Sequence, residues 1–390
     1  MKHLHSFTII LIVIAIQSCH AMEKDHSTPA NILMELTHVE NPMLVTCLPD
    51  NLVAIIGEKD CSLCDYTTNR ETEKVCPFTV PYGRIPYLTA HPNGKILALG
   101  NYCNGNNENQ KKDLIIYDIT TKEIWKKKLS IYLQPVFNPI DDTIFIQDYC
   151  RKTTVFYYKN KSHEPYSLEL SFDKLTLNEF HPTQPNLCLS CNALKVRILT
   201  WNNNVFTKGT IVLQLREPVI EECKYSPDGS LIAILTGERI CRIFDLQSNS
   251  QKILDKNNNY TIWTMVFHPI SFILATLSNQ PHAICYWNTK TEQLITTTPL
   301  PGEPEYYGGN RMDFTGDGGT KLIVVCNNKC LVLETPFKVR YKNITKDNAI
   351  FTYWILKNYQ QQHGNAIPDE IIHLLINNLL EASQYSFTNY

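Results

Sequence analysis

What this chain lacks most plainly is a long apolar run. Its clearest one, Phe7–Ile16, spans ten residues, and a bilayer-crossing helix needs about 20. The sequence is also short of charge of either sign. Lys and Arg number 36 against 38 Asp and Glu, for a net charge of −2, and a general nucleic-acid binder carries a basic excess. Catalytic signatures are missing too. No G-x-S-x-G nucleophile elbow, H-E-x-x-H zinc helix, G-x-x-x-x-G-K phosphate loop or EF-hand spacing occurs. These absences argue against a membrane-spanning protein, a nucleic-acid binder and the common hydrolase, metalloprotease and nucleotide-binding designs. They leave no cofactor and no metal to be expected.

The start of the chain carries a targeting pattern. "MKHLHS" is short and basic, the apolar stretch follows, and "QSCHA" offers small residues. That order suits a secretory signal peptide over residues 1–21, cleaved after Ala21. "IQSC" also resembles a bacterial lipoprotein box, with Cys19 as the lipidated residue. Either reading predicts an exported protein, periplasmic or secreted, and the second adds a lipid anchor.

Export would permit disulfides, and 14 cysteines are present. Their placement points elsewhere. Cys188 and Cys191 fall inside an expected strand, and the Cys61/Cys64 and Cys188/Cys191 pairs are too far apart in sequence for a zinc ribbon. Buried cysteines acting as small apolar side chains is the expected role. Cys61 with Cys64 or Cys76 is the leading disulfide candidate.

A repeat dominates the rest. A turn proline recurs at Pro49, Pro92, Pro139, Pro182, Pro227 and Pro269, and Gly316 holds a seventh equivalent place, at intervals of 42 to 47 residues. Two residues before this reference position stands Phe137, Phe180, Tyr225, Phe267 or Phe314, with Cys47 and Ala90 in the first two copies. That residue ends one strand. Turn residues of the Pro-Asp-Gly type then reverse the chain. A small-residue strand follows ("LIAIL", "ILATL"), then a third ("CRIFDL", "AICYWN"), then an outer fourth ("QKILDK", "EQLITT"). Four short strands per unit cannot cover both faces of their own sheet, so neighbouring units must cover them.

This pattern resembles the WD-repeat family of β-propellers, most strongly at Tyr225–Ala233, and covers about residues 30–336. Departures exist. Tyr117-Asp118, Phe244-Asp245 and Trp287-Asn288 stand where Trp-Asp would, and no Gly-His precedes the units. The resemblance implies an all-β fold, a seven-bladed β-propeller, with Ile32–Leu36 completing the last blade or Phe337–Tyr341 filling that edge instead. A C-terminal helical extension is expected over 343–385, as a short hairpin with one helix from near Thr345 to Gly364 and another opening at Pro368. "IPDEIIHLLINNLL" (Ile367–Leu380) resembles the opening of an F-box.

Function is expected at a surface. His91, His181 and His268 sit at equivalent places on separate units and read as polar turn residues. The loops entering the first strand of each unit are rich in Tyr, Trp and Arg, the residues that dominate interfaces. The residues expected to bind a protein partner there are Tyr87, Tyr132, Glu221, Tyr260, Trp263, Tyr306, Tyr307 and Arg311. The expected role is a non-catalytic scaffold. Two alternatives stand beside it: an enzyme using Glu221 and Arg311 at the channel mouth, and an F-box-like adaptor acting in a host cell.

Overall fold

The structure is a computed structural model. It describes residues 32–336 apart from 78–84, 103–111, 130–134, 140–142, 148–152, 158–165, 169–175, 203–204, 208, 215–218, 256–258, 303–310 and 317–318. All described strands lie in one compact unit, Thr28–Pro336. The leader, Cys19, the helical extension, the F-box-like stretch and Phe337–Tyr341 lie outside the described residues. Among the described residues every regular element is a strand, and no helix is long and apolar enough to cross a membrane.

The described strands form six four-stranded sheets and one five-stranded sheet, all antiparallel between neighbours. One sheet shows the plan. Ile220–Tyr225 is innermost, then Leu231–Thr236, Cys241–Asp245 and Ser250–Ile253. The reference proline lies in the first turn, between the inner two strands. In the five-stranded sheet, Val205–Thr207 and Ile211–Gln214 both pair with Lys195–Asn202. The third strand of four sheets ends in a side chain that ties the next turn. Asp65, Asp118, Asp245 and Asn288 each accept, through Oδ1, two backbone N–H groups two and three residues on, at 2.7–3.2 Å. This Asx geometry explains why Asp or Asn persists there whether Cys64, Tyr117, Phe244 or Trp287 precedes it.

Both faces of each sheet are closed by its neighbours. Leu88 packs with Leu97 and Leu99 onto Leu63 of the preceding sheet, while Tyr87 packs with Ala98 onto Phe137 and Ile144 of the following one. The same handover joins Phe145 to Phe180, Cys191 to Cys223, and Ile243 to Met265. It returns to its start where Val325 and Val332 meet Val45 and Val53. The last sheet is completed by Ile32–Leu36, which pairs antiparallel with Lys329–Glu334. Leu36, 2% exposed, lies in the joint between the last and first sheets.

The packing corrects the disulfide expectation for Cys61 and Cys64. Three residues apart in one strand, their side chains leave opposite faces. Cys61 enters the core shared with the next sheet and Cys64 the core shared with the last, and the Cys64 thiol is free. Cys76 is the cross-strand neighbour of Cys61, but its side chain lies outside the described residues.

Candidate functional site

The inner strands line a central channel. Three residues before each reference position stand Thr46, Thr89, Val136, Glu179, Lys224, Val266 and Asp313, of which Val136 packs into the core between sheets. A cavity of about 350 Å³ occupies the turn end of this channel, with Thr89, Glu179, Lys224, Val266 and Asp313 in its wall.

Two carboxylates of this ring perform the same task. Glu179 Oε2 accepts the backbone N–H of Tyr225, one sheet on, at 2.9 Å. Asp313 Oδ2 accepts the N–H of Cys47 at 2.8 Å and the hydroxyl of Thr46 at 3.4 Å, joining last sheet to first. A third acid, Glu222, accepts Thr264 Oγ1 of the next sheet at 3.3 Å and pairs with Lys224 Nζ at 3.1 Å. Burial raises the Glu179 carboxyl to about 7, and the Tyr225 amide and Lys224 only partly offset it. Burial likewise raises Asp313, against the Cys47 amide and Lys224. Burial works against the Lys224 ammonium as well, but Glu222 and Glu179 outweigh it and hold its pKa above the ordinary lysine value.

The turn end has its own joints. His91, His181 and His268 are buried. Each Nδ1 accepts a backbone N–H of its own turn, from Asn93, from Thr183 and Gln184, and from Ile270, at 3.1–3.4 Å. Each ring packs on the aromatic that ends the next sheet's inner strand: His91 on Phe137 at 5.3 Å, His181 on Tyr225 at 4.7 Å and His268 on Phe314 at 4.9 Å. With Nδ1 accepting, His181 carries its proton on Nε2 and donates it to Gly229 O at 3.2 Å. These histidines are joints between sheets rather than free polar turn residues. Among the described residues no group of three His, Cys, Asp or Glu side chains converges to hold a metal ion.

At the opposite end of the inner strands, the structure brings Glu221 and Trp263 together through Arg239. The Arg239 guanidinium lies over the Trp263 ring, 4.0 Å from its centroid, and its Nη1 donates to Glu221 Oε2. Arg239 sits in a hairpin turn at φ 64°, and its carbonyl accepts Ile262 N–H of the next sheet at 3.2 Å. Val219, 54% exposed, adds an apolar rim. Arg239 escaped the sequence reading because it belongs to a turn between second and third strands, outside the loops searched.

The other sequence-predicted residues fall elsewhere. Tyr87 and Arg311 are buried, 5% and 7% exposed. Tyr87 packs with Ala98 and Phe137 in the core between its sheet and the next. The ion pair of Glu221 is with Arg239. Tyr260 is half-buried; its ring meets Trp287 edge-on at 5.7 Å and its N–H is held by Asp255 at 2.7 Å. Tyr132, Tyr306 and Tyr307 lie outside the described residues.

No family model matches the sequence, and no curated protein matches it. Solved structures do. The chain is similar to a chain in the crystal structure of a mitotic checkpoint complex, at 11% identity and TM-score 0.60, over 81% of this chain and 96% of that one. It is similar to the β-propeller domain of Myceliophteria thermophila Cps50 (Swd1), at 12% identity and TM-score 0.61, over 79% of this chain and all of that one. The fold is a WD-like β-propeller. At these identities the likeness speaks for the fold alone. Within one sheet, Trp287 Nε1 donates to Thr276 Oγ1 of the neighbouring strand at 2.9 Å. In a propeller, the inner strands line the axis, which places the Glu179–Lys224–Asp313 group at the centre and the Arg239–Trp263 pair on one of the two rims.

Proposed function

We propose that this propeller is a non-catalytic scaffold, its seven sheets standing as seven blades of one ring, and that it binds a protein partner through the rim carrying Glu221, Arg239 and Trp263. The observation that carries this reading is the Arg239–Trp263 stack. A guanidinium held over an indole, with a carboxylate paired to it and an apolar side chain beside it, combines the residue types that supply most interface energy. The fold neighbours come from a multiprotein assembly and a propeller domain, which agrees with a binding role for such a ring. The leader-like residues 1–21 extend the proposal to an exported protein. The test is capture from the compartment that contains the native protein, using the full chain as bait. The reading expects a saturable protein partner that is lost with Trp263→Ala and Arg239→Ala while the fold persists. Turnover of a small substrate by the partner-free protein contradicts it.

A further inference from the structure

Cys191 ends the strand Leu187–Cys191, and Cys223 lies in the inner strand Ile220–Tyr225 of the next sheet. Both enter the core that joins these two sheets, and both are buried free thiols. Strand alternation sends Cys191 to this core together with Leu189, while Cys188 goes to the opposite one. Across the joint, the Cys191 side chain lies within hydrogen-bonding reach of the Cys223 thiol. The backbone fixes the approach, since Ile220 N–H donates to Ala193 O at 2.9 Å, just beyond Cys191 and just before Cys223. Two other joints also hold a pair of cysteines in one core and serve as comparisons. One pair is Cys64 with Cys330. The other is Cys241 with Cys285, where Cys241 Sγ meets Met265 Sδ at 3.7 Å instead.

We propose that Cys191 and Cys223 are a disulfide-forming pair, closing into a covalent tie between these two sheets when the chain folds in the presence of an oxidising disulfide such as oxidised glutathione. One cysteine, as thiolate, attacks a sulfur of the incoming disulfide and displaces one thiolate. The other cysteine attacks the mixed disulfide and displaces the second. One Sγ–Sγ bond replaces the incoming S–S bond, the two protons leave on the two displaced thiols, and the two electrons reduce the incoming disulfide. Burial raises the Cys223 thiol well above its ordinary range, and Cys191 beside it adds to that. Little thiolate therefore remains once the joint has closed, so the exchange belongs to folding. The tie stands two residues from Glu221 on the same inner strand, and so braces the strand that carries the proposed partner rim. The compartment in which the bond forms rests on the proposed export; the pairing does not.

Refolding of the full chain from reductant and denaturant into a buffer of reduced and oxidised glutathione tests the pairing. Free thiols are then blocked with iodoacetamide under denaturing conditions, and unreduced peptides are read by mass spectrometry. Expected is a linked peptide joining Cys191 to Cys223, with Cys64, Cys241, Cys285 and Cys330 alkylated. The oxidised protein should melt about 5 °C above the reduced one, a difference that Cys191→Ala and Cys223→Ala each abolish. If either variant does not fold, the linked peptide and the two melts of the unsubstituted protein still decide. The proposal is overturned by the absence of a Cys191–Cys223 peptide, by a Cys64–Cys330 or Cys241–Cys285 link in equal yield, or by equal melting temperatures. Protein taken from its native cells should carry the link. Free thiols there, with the link still forming in glutathione, would count against export and not against the pair.

Discussion

The imidazole of His181 packs 4.7 Å from the phenol ring of Tyr225, and Gly229 of the same turn as Tyr225 closes over its other side. A Cβ built on Gly229 would stand 2.0 Å from His181 Cε1, at a backbone φ of +74°. Gly229→Ala therefore meets both a clash and a strained backbone, and should lower stability by about 1–3 kcal/mol. Gly237→Ala is the control, since the atom nearest its Cβ outside the adjoining residues would be Val219 O, at 3.5 Å. Denaturant midpoints of the two variants make the comparison.

Stability near neutral pH should carry two opposed contributions. The Glu179 carboxyl, raised to about 7 in the fold from an ordinary 4.5, favours the fold while protonated. That contribution is complete below about pH 4.5 and is lost as pH rises through 7. His181 is lowered from 6.5, first by burial, so its neutral ring favours the fold above about pH 6.5 and turns against it as pH falls. Glu179→Gln keeps an acceptor for the Tyr225 amide but no charge. It should exceed the parent in stability at pH 8 by about 1–3 kcal/mol, with the gap closing by pH 5. Thermal melts across pH 5–8 read this directly.

The Arg239–Trp263 stack should show as a coupling. In a double-mutant cycle of Arg239→Ala and Trp263→Ala, unfolding free energies should be non-additive by about 0.5–1 kcal/mol, because the guanidinium stays partly hydrated. Additive values would mean the two side chains stack without stabilising one another.

Thiol labelling should separate native from unfolded protein sharply. Burial raises Cys64 and Cys285 to about 12, and raises Cys188, Cys241 and Cys330 further. A thiol held that high has almost no thiolate at pH 8. Iodoacetamide should leave these five unmodified in the native state and alkylate them after unfolding, as read by peptide mass spectrometry.

Much of this architecture was legible as spacing. The reference proline, the aromatic two residues before it and the small residues after it each express a local need of a turn or a packed strand. Ile32–Leu36 was readable as the strand that completes the last sheet. What escaped were side chains whose partners belong to another unit. Glu179 and Asp313 hold amides about 46 and 266 residues away in sequence, so no local pattern announces them. The histidines share a position, yet their ring contacts exist only once two sheets meet. Tyr87 and Arg311 were expected at a surface because they were read as part of the loops entering the first strands, whereas Tyr87 lies within Ile85–Ala90, Arg311 directly precedes Met312–Phe314, and both are buried. Arg239 lay in a turn of another class from those expected to bind.

The central claim is that the sheets close on themselves at the joint where Asp313 accepts the Cys47 amide at 2.8 Å. Native-state hydrogen exchange of that amide tests it most directly. The account predicts that Cys47 N–H exchanges as slowly as the central strand Leu231–Thr236, and that Asp313→Ala accelerates it while leaving Leu231–Thr236 protected. Exchange of Cys47 in the unsubstituted protein at the rate of an exposed turn amide would mean that the first and last sheets do not meet.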